Sequence, residues 1–140
     1  MIHPLRPPSE FRGVFRDDLL ARAVYAEAAG IARATPLAIA VPVDAADVMA
    51  LARWSHETLT PLIPRGSGSS MSGGAVGNGV IVDLGRLDTI GPVVDGHIMV
   101  GPGAIRSRVD AAAAGVGLRF PVDPSSGAFC TIGGMTATNA

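Results

Sequence analysis

The sequence predicts an α+β fold, in which a small parallel strand–helix–strand unit is followed by the start of a second, mixed or antiparallel α+β unit. Three observations carry that reading. Between residues 36 and 83, short apolar runs flank one amphipathic helical stretch, and this order of elements builds a small parallel sheet. Asp95-Gly96 lies between two apolar runs, which is a strong signal for a tight hairpin. A glycine-rich and serine-rich loop follows directly on one of the strand-like runs.

Residues 1–13 read as an extended arm, because Pro4, Pro7 and Pro8 exclude regular helix there. Leu20, Val24 and Ala28 recur at helical spacing and predict a helix over 18–29, with Asp17 as cap and Gly30 as stop. Leu37 to Val41 reads as a buried strand. Asp44 is placed to cap the next helix, and Asp47 puts a negative charge in its first turn. Val48, Leu51, Ala52 and Leu59 form the expected apolar stripe of that helix. Leu62-Ile63 and Val80-Ile81-Val82 are two further strands, the latter closing on Asp83. Ile90–Val94 and His97–Val100 are the arms of the hairpin. Ile105, Val109 and Ala113 share one helical face, and Gly115 ends that helix. Phe120 to Gly127 reads as a loop fixed by two prolines, and Gly133-Gly134 as a second glycine-rich turn, with no closing helix. The expected organisation is an arm and helix over 1–35, a first unit over 36–88, and the beginning of a second unit over 89–140.

Composition narrows the function. The net charge is −1, from 11 basic and 12 acidic residues, and no basic tract exists. With one Trp and one Tyr, nothing resembles a track for nucleic acid. The charged fraction of 16% is low against the usual quarter or so. Either an alanine-rich and glycine-rich composition or an apolar face meant for more protein accounts for it. A lone cysteine, Cys130, excludes an intrachain disulfide and an iron–sulfur cluster held by this chain's thiolates alone. His3, His56 and His97 are scattered without metal-ligand spacing, so no metal site is expected. No nucleophile and base can be paired, so no catalytic residue is assigned and a hydrolase is unsupported. No apolar run approaches the roughly 18 residues of a membrane span, and the start lacks a signal-peptide core. The expectation is a cytoplasmic protein, or one touching the inner face of a membrane.

The most informative segment is Pro64-Arg65-Gly66-Ser67-Gly68-Ser69-Ser70-Met71-Ser72-Gly73-Gly74. Its glycines let the backbone turn tightly, so that successive N–H groups form a concave site for an anion. Ser67, Ser69 and Ser70 add hydroxyl donors, and Arg65 either neutralises charge or anchors the loop. No Gly-Lys-Ser/Thr follows, so this is not a nucleotide-triphosphate loop. Met71 stands where a Gly-x-Gly-x-x-Gly fingerprint would have glycine. The apolar strands on both sides disfavour a flexible linker, while a ligand-free structural turn stays open.

Four segments together resemble the FAD-linked oxidases of the vanillyl-alcohol oxidase and para-cresol methylhydroxylase type. They are Pro64 to Ser70, Val80 to Leu87, Val100-Gly101-Pro102-Gly103, and Phe120 to Ala140. The resemblance is closest to the branch of the glycolate oxidase flavoprotein and FAD-linked D-lactate dehydrogenase, and to the N-terminal part of those proteins. It implies FAD in a cleft between two α+β subdomains. Arg65, Gly66, Ser67, Gly68, Ser69 and Ser70 would hold the pyrophosphate. Pro121, Asp123, Ser126, Thr131, Gly133, Gly134, Thr136 and Thr138 would run along the cofactor towards the ring. Met135 often matches Asn in relatives, so a polar contact with the cofactor is not expected there. Some members attach FAD through a histidine in or near the first loop; residues 66–74 contain none, so non-covalent FAD is expected. Cys130 is expected to pack rather than react.

The resemblance further implies oxidation of a 2-hydroxy acid to the 2-oxo acid. The substrate domain would lie C-terminal to this portion, and oxygen, a quinone or an iron–sulfur partner would take the electrons. Alternatives are a flavin-binding or structural fragment without activity, and a sugar or aldonolactone oxidase of the same superfamily. Asp83 is expected to cap a turn, and Arg106 and Arg108 to face solvent; Tyr25 and Arg119 have no assigned role.

Overall fold

The computed structural model describes residues 5–140, so His3, Pro4 and the start of the expected arm lie outside the described residues. The elements are β1 (Val14–Arg16), α1 (Leu19–Val24), β2 (Ala38–Val41), α2 (Ala45–Thr58), β3 (Leu62–Arg65), β4 (Val80–Asp83), β5 (Ile90–Val94), β6 (His97–Val100), α3 (Arg106–Ala114) and α4 (Ile132–Thr138).

The first four strands form one sheet in the order β1-β2-β4-β3. Strands β2, β4 and β3 run parallel, with Ile39, Ile81 and Ile63 in register across them. Side chains alternate along a strand, so Ala38, Ala40, Val80 and Val82 face the other way, onto Leu51 and Trp54 of α2. The alanines leave room for the helix to approach, and burying Leu51 and Trp54 stabilises the pair by about 2–3 kcal/mol each. Pro64 sits in β3, an outer strand of the sheet, where its missing N–H costs no ladder bond.

The stripe of α2 differs from the expected one. Asp47, Ala50, Leu51 and Trp54 are buried, whereas Ala52 is exposed and Leu59 is 85% exposed as a left-handed C-cap. The expected spacing passes over an aspartate because a carboxylate is a poor core group unless it is fully paired. Asp47 is paired: it accepts from the N–H groups of Val43 and Arg12, each at 3.0 Å, and faces the Arg12 guanidinium at 3.4 Å. Burial alone would raise its pKa, but those donors together hold it below the ordinary carboxylate range. Asp44 caps α2, as its position in the sequence predicts, and it also pairs with Arg12.

Helix α1 is shorter than the predicted helix over 18–29. Its cap is Asp18 rather than Asp17, and it closes at Tyr25 rather than Gly30. Leu20 and Val24 are 71% and 66% exposed. Their spacing is helical, but among the described residues no element packs over that face. Strand β1 has no counterpart in the sequence reading, because three residues are too few to show a period; it adds antiparallel to β2.

The hairpin forms where Asp95-Gly96 predicts it, with φ of 50° and 76° at the two turn residues. Helix α3 buries Val109 and Ala113 and closes at Gly115. Arg106 does not face solvent. It is 8% exposed, donates to the carbonyls of Val122 and Phe120, and lies near Asp110 and Asp123. Arg108 is exposed and paired with Asp88. Residues 132–138, expected as a turn, are helix α4, with Thr131 as N-cap. Two glycines in its first turn hide the helix from propensity, but the Thr131 side chain accepts from the Gly134 N–H and fixes it.

Candidate functional site

The glycine loop leaves the carboxyl end of β3, the end of a parallel sheet where ligands characteristically bind. Glycine is required at two points. Gly68 has φ +75°, and a Cβ there would stand 2.6 Å from Arg65 Nη2. At Gly66 a Cβ would overlap Thr131 Oγ1. The loop is therefore pressed down on Arg65 and sideways onto the start of α4.

Among the described residues, the amides of Ser67 through Ser72 donate to no acceptor of the chain. The hydroxyls of Ser67 and Ser69, and of Ser70 and Ser72, meet only each other at 3.3 Å. Unused backbone donors at a glycine-rich turn are what an anion needs. Those of Ser67 through Ser70 open on a cleft of about 150 Å³. Gly66, Ser67, Gly68, Ser69 and Ser70 line it from the loop side, and Ser126, Thr131, Gly134 and Thr138 from the other. No ionised side chain lines the cleft among the described residues, so recognition there falls to amides and hydroxyls.

Five of the predicted site residues stand elsewhere. Arg65 lines a second cavity of about 430 Å³, with Tyr25, Asp83 and Asp88. Asp123 pairs with Arg106 at 3.3 Å. Pro121 is exposed on the loop before it. Gly133 spends its amide on the Pro102 carbonyl, 2.9 Å away, and a Cβ there would lie 2.8 Å from Pro102 Cβ. It lets α4 pack against the Pro102 turn. Thr136 donates back to the Ile132 carbonyl and lines a third cavity with Phe120 and Val122. Thr138 also back-bonds, to Gly134, although it faces the cleft.

Sequence reasoning misses several lining residues. Ala75, Pro124, Met135, Ala137 and Ala140 complete the cleft wall with small or apolar surface. Nothing in their spacing marks them, because an irregular loop and a glycine-containing helix carry no period. Cys130 is buried at the back of the cleft, and its N–H donates to the Ser126 carbonyl at 2.8 Å. Asp83 accepts from the Gly85 N–H, the turn-capping role its strand-end position predicts. It also accepts from the Tyr25 hydroxyl at 2.5 Å. Partial burial, then this bond and the charge of Asp83, push the Tyr25 phenol up to about 12.

Among the described residues no group of three His, Cys, Asp or Glu is placed to hold a metal ion. No helix there is long and apolar enough to cross a membrane.

Comparison with known proteins bears on the same region. Residues 36–140 match the family model described as FAD binding domain. The chain is 39% identical over 111 residues to D-2-hydroxyglutarate dehydrogenase of Xanthomonas citri pv. viticola, covering 75% of this chain and 23% of that protein. It is 33% identical over 112 residues to glycolate oxidase subunit GlcD of Escherichia coli K12, covering 77% and 22%. The chain thus spans under a quarter of the length of these curated relatives. Among solved structures, alkyldihydroxyacetonephosphate synthase superposes with a TM-score of 0.78 at 23% identity, over 90% of this chain and 29% of that one. That likeness is one of fold.

Proposed function

Because this chain belongs to the FAD binding domain family, we propose that the cleft between the glycine loop and α4 holds the pyrophosphate of FAD, within an oxidoreductase acting on a small 2-hydroxy acid. The unused amides of Ser67 through Ser72 carry the reading of the site. The substrate class rests on the relatives named D-2-hydroxyglutarate dehydrogenase and glycolate oxidase subunit GlcD.

The cleft fits the group. Gly66 and Gly68 line the cleft without a side chain, the serine hydroxyls supply further donors, and Thr131, Gly134 and Thr138 form the facing wall. Bound FAD would supply hydride acceptance; the residues of this chain bind and orient it. Attachment is non-covalent in this reading, supported by the lack of histidine in the loop and the cleft lining. Residues 36–88 would form the first FAD-binding unit and 89–140 the beginning of the second. We place the substrate site, and any contact with an electron acceptor or iron–sulfur partner, in sequence corresponding to the relatives' remaining length. A cytoplasmic setting accords with this reading.

The test is calorimetric titration of the chain with FAD, beside Ser69→Asp. That variant puts a carboxylate at the half-buried loop position meant for phosphate without altering a glycine. Saturable one-to-one binding, weakened at least about tenfold by Ser69→Asp, supports the proposal. Equal affinity of the folded variant would move the cofactor away from this loop.

A further inference from the structure

Residues 25–30 lie outside the matched domain, which begins at residue 36, yet they grip the glycine loop. Arg65 Nη1 donates to the carbonyls of Tyr25 at 3.4 Å and Glu27 at 2.9 Å, and to that of Ala75 at 3.0 Å. The guanidinium lies over the Tyr25 ring, 5.1 Å from its centroid. The Ala29 N–H donates to the Gly68 carbonyl at 3.0 Å, which ties the loop directly to this segment. Gly30 packs so tightly on the Met71 carbonyl that a Cβ would overlap it. The Tyr25 hydroxyl pins the assembly to Asp83 at the end of β4.

We propose that Tyr25 and Arg65 are positioning residues: together they clamp the glycine loop from beneath, in the shape that presents its free amides, and Arg65 does not itself contact the anion. Among the described residues, every hydrogen bond that Arg65 makes goes to a backbone carbonyl, and Arg65 lines the second cavity, which shares Gly66, Ser67 and Thr131 with the cleft, but not the cleft itself. All three bonds leave one guanidinium nitrogen while the planar group also stacks on the Tyr25 ring, a combination of hydrogen bonds and flat stacking that a lysine ammonium does not reproduce. A loop held in its binding shape avoids the ordering cost when ligand arrives. The effect on FAD rests on the proposed function above; the clamp itself does not.

The test combines ¹⁵N relaxation of the ligand-free chain with FAD titration, in wild type, Arg65→Lys, Arg65→Gln, Tyr25→Phe and Tyr25→Ala. In wild type the amides of residues 67–72 should be rigid, with order parameters near about 0.85, falling below about 0.6 in Tyr25→Ala and both Arg65 variants. The amides of Val80 to Val82 should stay unchanged. FAD affinity should fall about tenfold in Arg65→Lys as in Arg65→Gln. Tyr25→Phe keeps the ring under Arg65 and should be intermediate; it also serves if Tyr25→Ala fails to fold. A loop as rigid in the variants as in wild type overturns the clamp. So does Arg65→Lys binding FAD like wild type while Arg65→Gln does not, since charge on the phosphates would then be the role of Arg65. If wild type binds no FAD, the proposed function falls, and the order parameters alone judge the clamp.

Discussion

Gly66 packs against Thr131 so closely that a Cβ on the glycine would overlap the threonine hydroxyl. The two residues are far apart in sequence, one at the exit of β3 and the other capping α4. Their contact joins the two walls of the cleft. Gly66→Ala should therefore destabilise the chain by about 1–3 kcal/mol and weaken FAD binding. Thr131→Ala alone should cost about 1 kcal/mol through loss of the α4 cap. The double variant should be more stable than the sum of the two losses, because the truncated threonine makes room for the new methyl group. Chemical denaturation of the four proteins measures this coupling; strict additivity would mean that the contact is slack.

Asp47 links α2 to the arm through a fully buried carboxylate. Its pKa is lower in the folded chain than in the unfolded one. The stability it contributes is present above the unfolded value of about 3.9 and is lost as pH falls through the folded value. Asp47→Ala should cost about 2–3 kcal/mol at pH 7, because the Val43 and Arg12 amides lose their acceptor. Asp47→Asn should flatten this acid limb. Thermal melts from pH 7 down to about 3 read both effects.

The parts of the fold that are legible in the sequence are those written locally. The Asp44 cap, the apolar strands and the Asp95-Gly96 turn are local signals, and each forms where it is written. The burial of Asp47 and Arg106 is not legible, because it depends on partners distant in sequence or on a loop without period. Helix α4 is hidden by its glycines. At the site, the loop itself is legible. The role of Tyr25 is not, since it arises from a turn after a short helix meeting the loop in space.

Leu59 is a leucine in the left-handed region, φ 56°, at the C-cap of α2, where its side chain meets mostly solvent. Leu59→Gly should stabilise the chain by about 0.5–1 kcal/mol, since relief of the left-handed strain exceeds the added freedom of the unfolded glycine. A rise in denaturation midpoint checks this, and a fall would show that Leu59 packs usefully.

Among the described residues the cleft lining holds no ionised side chain. FAD affinity should accordingly change little, by less than about threefold, between about 0.05 and 0.5 M salt, because fixed amide dipoles at contact distance are screened far less than exposed charges. A steep loss with salt in the calorimetric titration would point to a cationic contact outside the cleft.

The most direct measurement is an amide chemical-shift titration of the ¹⁵N-labelled chain with FAD. The expected result is saturable shifts concentrated at Ser67 through Ser70 and at Thr131, Gly134 and Thr138, which face one another across the cleft. Saturable binding that leaves those amides unmoved and shifts others would contradict the placement of the cofactor at the glycine loop.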